Sequence, residues 1–398
     1  MLTVSEATEI ILSEVPDPKI QHLPLELCPG RVLAEDLHAD RPFPPFHRVM
    51  MDGIAIAYQA FVEGRRQFQV EGTVAAGTPI HTLNHANTCL EVMTGAILPE
   101  GTDTVIRYED VVIAEGVATV NVEEIPSGKN VHPEGTDRKL GERIVSKGRQ
   151  ISAAEVGVAA TIGRSALATY ALPKALVIST GDELVPVDQQ PLPYQIRQSN
   201  GYSIGSLLSG WGVEADYAHL LDEQEVIQER MKGFLEKYPL IILSGGVSKG
   251  KFDFIPQVMD SLGMEKKFHR VAQRPGKPFW FGVAPTDTRI FALPGNPVSS
   301  FVCTLRYIQP WLRTMQGMPP FEMQYAVLQA DISFKPDLTY FAQVNLSHGR
   351  DGTLKAYPVE GHGSGDLANL VYADAIMELP QGKDHFEAGE VYEVIRFR

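Results

Sequence analysis

The chain has 398 residues, of which 44% are hydrophobic and 21% charged, and carries a formal net charge of -14. That length exceeds what one core serves, so two to four domains are expected. The acidic balance excludes non-specific binding to nucleic acid or to an anionic membrane, because both need a basic footprint. An anionic ligand would need locally gathered positive charge.

Residues 2 to 15 follow a helical period, with Leu2, Ala7, Ile10 and Ile11 on one side, Ser5 as a candidate cap, and Pro16 and Pro18 closing the element. Its acids come early and no basic stretch precedes it, which fits an amphipathic helix and not a signal peptide. Apolar runs such as Leu240 to Leu243 are far too short to span a bilayer. The cysteines, Cys28, Cys89 and Cys303, are distant from one another and show no CxxC spacing. A disulfide framework or structural zinc is therefore not expected, and a reducing, cytoplasmic compartment fits. The stretch from His22 to Pro45 is extended and proline-rich. Short Val-, Ile- and Thr-rich runs then follow (IAIAY, FQVEGTVA, CLEVMTG, DTVIRYEDVVIA, ATVNV), separated by Gly and Pro. Residues 151 to 161 return to a helical pattern. The expected organisation is a discontinuous N-terminal domain, 1–42 with 139–172, and an inserted β-rich domain, 43–138.

From residue 174 strands and helices alternate. KALVIST, PLIILSGG and RIFALPG read as buried strands, and SNGYSIGSLLSGWG, residues 223 to 237, DFIPQVMDSLG and PVSSFVCTLRYIQPWL read as helices. The alternation predicts a doubly wound parallel sheet over 173–316. Residues 317–398 alternate polar and apolar again and predict a small C-terminal β-barrel. The fold class is multidomain α/β plus β.

In a doubly wound sheet, ligands bind at the carboxyl ends of the strands. Three polar loops follow three strands: 179 to 183 (STGDE), 244 to 253 (SGGVSKGKFD) and 293 to 297 (LPGNP). Ser244, Gly245 and Gly246 either make a tight strand-to-helix turn or let backbone N–H groups approach an anion. Ser248, Lys249 and Lys251 tilt that choice toward phosphate, although no P-loop pattern is present. Asp182, Glu183 and Asp253 offer hard oxygens of the kind magnesium takes, with helix capping as the alternative for Asp182 or Asp253. Residues 249 to 277 hold seven Lys and Arg against three acids, a local +4. Lys266 and Lys267 read as a solvated face, whereas Arg274 and Lys277 flank Pro275 and Gly276, which fix their presentation. After Gly295, Asn296 is a plausible N-cap and Pro297 a first helical residue; an exposed helix start there can also hold an anion. In the β-rich region Met51-Asp52-Gly53 reads first as a hairpin turn. His47, His81, His85 and His132 lack metal-ligand spacing and read as surface or satisfied histidines.

Six motifs in order, MDG, MTGAILPEGTD, STGDEL, SGGVSKGKFDF, RPGKPFWFG and LPGNPVS, make the chain closely resemble the molybdopterin molybdenumtransferases, the family of bacterial MoeA proteins and the gephyrin E domain. The resemblance runs from residue 2 to the end. It implies an elongated homodimer with four domains per subunit, the active site lying between the α/β domain and the other subunit's β domain. It assigns Asp52, Thr94, Asp137, Glu183, Asp222, Asp253 and Lys277 to the active site. Arg274 stands where the family commonly has lysine, and Ser299 lies in the PGNPVS segment. The implied reaction is magnesium-dependent insertion of molybdate into adenylated molybdopterin, with release of AMP. Glu183 and Asp253 would face magnesium with Asp222 nearby, and the glycine loop and Lys277 would hold phosphate. Asp52, Thr94 and Asp137 would place molybdate or the attacking water. A molybdopterin adenylyltransferase is a possible partner. Three positions depart from the family: His47-Arg48-Val49 replaces a small polar-then-Ala segment, Thr136 replaces Glu, and Gln343 follows Phe341 where arginine is expected. The alternatives are a scaffold or molybdopterin-binding protein of the same fold, a molybdopterin adenylyltransferase, or a divergent paralogue handling tungstate.

Overall fold

The computed structural model describes residues 1–247 and 254–398. Two compact units are present: Met1–His22, Gly30–Ala34 and Ala168–Arg398 make the first, and Leu23–Pro29 and Glu35–Leu167 the second.

In the first unit an α/β sheet contains β1 (Ala175–Thr180), β2 (Ala215–Leu220), β3 (Leu240–Ser244), β4 (Glu265–His269), β5 (Trp280–Val283) and β6 (Arg289–Leu293) in the order β2-β1-β3-β6-β5-β4. The four strands β2, β1, β3 and β6 run parallel, and β5 is antiparallel to both neighbours. The expected all-parallel sheet thus holds for the core and gives way at one edge. There β4 and β5 are joined by a connection too short to need a helix. Side chains alternate between two buried faces: Val177, Ile242 and Phe291 enter one core, and Leu176, Ile178, Ile241, Leu243 and Ile290 the other. Burial on both faces explains why these strands read as unbroken apolar runs. Truncating one such side chain to Ala costs about 2–5 kcal/mol.

Helices α1 (Asn200–Gly210), α2 (Gln224–Lys237) and α3 (Ile255–Ser261) cover the sheet. A longer helical run follows β6: α-helical Pro297–Cys303, π-helical Thr304–Ile308 and α-helical Gln309–Met315. The N-terminal helix Val4–Ser13 buries Val4, Ala7 and Ile11 in the cluster that also holds Phe291 and Trp311. Its cap is Thr3, not Ser5. Thr3 and Glu6 exchange side-chain-to-backbone bonds, a reciprocal arrangement that Ser5, already inside the helix, cannot make.

The C-terminal strands Gln324–Leu328, Thr339–His348, Leu354–Pro358, Ala375–Leu379 and Val391–Arg396 close into a five-stranded barrel, because Tyr340–Val344 also pairs with Ala375–Leu379. Closure leaves no open edge around the ring. Gln273–Arg274 adds a short parallel pairing against Thr339–Tyr340.

The second unit is built on a six-stranded sheet in the order Thr104–Arg107, Gly53–Ile56, Thr88–Val92, Gln67–Val74, Val117–Val120, Val111–Ala114. Its alternation again serves two cores: Ile54, Ile56, Phe68 and Cys89 on one face, Ala55, Val74, Leu90 and Val92 on the other. Gly53 is not part of a hairpin turn. It opens a strand opposite Arg107, and a Cβ there would stand 1.9 Å from the Ile106 carbonyl oxygen. Close backbone approach, not turn geometry, demands the glycine.

Candidate active site

In the first unit the parallel register sets Ser179 beside Ser244 and Ser244 beside Leu293, so the loops after β1, β3 and β6 leave the sheet side by side. They line a cavity of about 640 Å³ together with the start of α1. Glu183, Asp222, Ser244, Gly245, Gly246, Gly295, Asn296 and Pro297 all border it. Asp182 is turned to structure: its Oδ1 accepts the Asp222 N–H at 3.0 Å, which ties the loop after β2 to the loop after β1.

Asn200, at the start of α1, holds the floor together. Its Nδ2 donates to Ser244 Oγ at 2.8 Å and to the Gly295 carbonyl at 2.7 Å. Among the described residues its buried Oδ1 has no hydrogen-bond partner, and neither has the buried Thr180 Oγ1; both residues line this cavity. Gly245 is required twice over: its φ is +107°, and a Cβ would meet Thr180 Oγ1 at 2.6 Å. Its N–H donates to the Leu293 carbonyl at 3.1 Å. Gly245 therefore shapes the loop without contributing a backbone donor to an anion. The Glu183 carboxylate lies over Gly181, where a Cβ would come within 2.5 Å of it.

A second cavity, about 800 Å³, opens beside the first and shares Pro278, Pro294 and Asn296 with it. Arg274, Lys277, Ser299, Lys335, Tyr340, Gln343 and His362 line it. Arg274 and Lys277 are exposed on a turn anchored from beneath by Gln273, which is fully buried. Gln273 Nε2 donates to the Gly276 carbonyl at 3.2 Å and to Cys303 Sγ at 3.4 Å, and its Oε1 accepts from the Tyr307 hydroxyl. Tyr307 belongs to the π-helical stretch, a type of irregularity that often serves a site. Pro297 is the first helical residue as expected, but the cap differs. The Asn296 side chain makes no capping bond and donates instead to Ser364 Oγ at 2.9 Å, while the Val298 N–H goes to the Ser364 carbonyl at 3.1 Å. The helix start expected to be open to an anion is covered by Ser364.

In the second unit Asp52 and Thr94, distant in sequence, are in contact. Both the N–H and the hydroxyl of Thr94 donate to Asp52 Oδ1, at 2.7 and 2.6 Å. These bonds hold the Asp52 carboxyl below its usual range, the hydroxyl contributing most. Asp137 is held separately: His132 Nε2 lies 3.1 Å from its Oδ1. His132 is thus a satisfied histidine, as its lack of metal spacing suggested. Ser248, Lys249, Lys251 and Asp253 lie outside the described residues.

Among the described residues no three His, Cys, Asp or Glu side chains gather as a metal cluster. Glu183 and Asp222 on one cavity do fit magnesium, which takes one or two carboxylates and completes its shell with phosphate oxygens and water. Thr180, Asn200, Gln273 and the Arg48–His132 contact escaped the sequence reading. Only Asn200, opening a helix after a loop, carried any local signal.

A doubly wound domain with glycine loops at its strand ends, a closed barrel and a separate β-sheet unit define a multidomain α/β plus β protein. Family models match nearly all of it: the MoeA N-terminal region (domain I and II) over residues 2–163, a probable molybdopterin binding domain over 176–314, and the MoeA C-terminal region (domain IV) over 325–397. The chain is 41% identical to the molybdopterin molybdenumtransferase of Synechocystis sp., across 98% of this chain and 99% of that one. It is 30% identical to the protein of that name from Haemophilus influenzae, across 100% and 99%. A solved structure of the molybdopterin biosynthesis MoeA protein from Pyrococcus horikoshii superposes with a TM-score of 0.86 at 27% identity, covering 100% of this chain and 99% of that one. The chain belongs to the MoeA family of molybdopterin molybdenumtransferases.

Proposed function

We propose that this chain inserts molybdenum from molybdate into adenylated molybdopterin, with magnesium, and releases AMP. The observation that carries the proposal is the gathering of Glu183, Asp222 and the Ser244–Gly246 and Gly295–Pro297 loops on one cavity at the carboxyl edge of the sheet. The substrate is polyanionic, and the neighbouring cavity supplies the cations Arg274, Lys277 and Lys335. Lys277 and Arg274 hold phosphate or molybdate oxygens, and the core-anchored turn keeps them in place. Magnesium held by Glu183 and Asp222 would offset negative charge on the phosphoanhydride. Asp52, kept as a carboxylate by Thr94, and Asp137 orient molybdate or the water that cleaves the anhydride. Positioning and electrostatic stabilisation supply most of the acceleration, as in other phosphoryl chemistry. A cytoplasmic homodimer is the state that kinship with the family implies; Cys28, Cys89 and Cys303 are buried and free, as a reducing compartment would leave them.

The test is AMP release from adenylated molybdopterin, measured with and without molybdate and magnesium. Release that requires both ions is expected. Tight substrate binding by folded protein without release would sink the transferase reading and favour a binding protein.

A further inference from the structure

We infer that Arg48 and His132 are positioning residues that set the Asp137 carboxylate through a fixed imidazole tautomer. The inference rests on the reading above that Asp137 takes part in the reaction. Arg48 and His132 are directly opposed on two short antiparallel strands, with Val49 opposite Val131. Residues opposed in this way share a face of the ladder. Arg48 Nη2 lies 3.2 Å from His132 Nδ1, and His132 Nε2 lies 3.1 Å from Asp137 Oδ1. The three side chains form one line.

Donor and acceptor chemistry assigns the protons along that line. A guanidinium has only donors, so Nδ1 must be the acceptor and carry no hydrogen. The ring is then neutral with its hydrogen on Nε2, and Nε2 donates to Asp137. Without Arg48, no neighbour among the described residues selects Nδ1 as the bare nitrogen. The contact therefore specifies the tautomer and the orientation of the ring.

The backbone prepares the same geometry. The Asp137 N–H donates to the Phe43 carbonyl at 2.8 Å, the Gly135 N–H to the Pro44 carbonyl at 3.0 Å, and the Glu134 N–H to His47 Nδ1 at 3.1 Å. The segment carrying Asp137 is zipped to the segment carrying Arg48, and its side chain is free to turn only about its own torsions. The Asp137 side chain is 56% exposed, against 22% for His132. An exposed carboxylate gains little from a single contact in stability but gains a defined direction. One oxygen is occupied by His132, which leaves the other to face a ligand.

The experiment combines four variants of the full-length protein with side-chain ¹⁵N NMR of His132. In the wild type, Nδ1 is expected to appear unprotonated and Nε2 protonated. Arg48→Ala should let the tautomers mix. Asp137→Asn should abolish molybdate-dependent AMP release. His132→Ala should lower kcat roughly tenfold to a hundredfold, with KM and Tm unchanged. His132→Gln, whose amide can still donate to Asp137, should recover most of that loss. A wild-type spectrum with the hydrogen on Nδ1 overturns the inference outright. So does a fully active His132→Ala beside an inactive Asp137→Asn. A fully active Asp137→Asn instead overturns the role given to Asp137 in the reaction, while the spectra still decide the tautomer.

Discussion

The two units present their candidate carboxylates in opposite ways. In the first, Glu183 and Asp222 come from loops that the parallel sheet delivers to one edge, and the cavity they border has polar groups left unsatisfied. In the second, Asp52 and Asp137 stand at the surface, and a side chain, Thr94 or His132, occupies one oxygen of each. The first arrangement is made by topology. The second is made by local hydrogen bonds that fix each carboxylate. A site can thus be preorganised by sheet register or by local hydrogen bonds, and the two respond differently to substitution.

The largest expected effect comes from removing one carboxylate of each kind. Asp52→Ala and Glu183→Ala should each lower kcat/KM about a hundredfold or more, while thermal unfolding stays within a few degrees of wild type because both residues lie at the surface. Near-normal turnover by either variant would remove that residue from the site. A smaller effect, confined to the topological arrangement, is expected from Gly245→Ala. The side chain would force a left-handed residue against Thr180, costing about 1–3 kcal/mol. Substrate affinity should fall, and amide exchange should quicken around β1 and β3 but not in the sheet holding Asp52. Exchange that quickens everywhere would contradict the separation.

The smallest effect tests the local arrangement by pH. Thr94 holds the Asp52 carboxyl low, so the carboxylate persists below the usual carboxylate range. Its contribution to stability is present above the unfolded-state value and is lost as pH falls through the lower folded value. Thr94→Val removes the hydroxyl donor and keeps the N–H. The acid limb of kcat/KM should move to higher pH, with the plateau little changed. An unmoved limb would mean that another group governs it.

Much of the fold was legible because apolar periodicity reports burial. The unbroken runs at Ala175–Thr180, Leu240–Ser244 and Arg289–Leu293 are buried on both faces, and their alternation with helices places three loops on one sheet edge. The antiparallel edge was not legible, since Glu265–His269 is charged, buries only Phe268 and carries no apolar run. Gly53 was misread because Asp-Gly signals a turn locally, whereas the carbonyl that excludes a side chain belongs to Ile106. The same limit hid the covering of the helix start by Ser364 and the Thr94 and His132 contacts. A local pattern records what a residue needs, not which distant segment supplies it.

The buried amide of Gln273 has a consequence for how this chain can change over evolutionary time. The turn bearing Arg274 and Lys277 is secured by Gln273, Tyr307 and Cys303, and none of its shape is owed to the charged groups it displays. One cation should therefore replace another at position 274 or 277 with little effect on folding, while a change at Gln273 would disturb the turn itself.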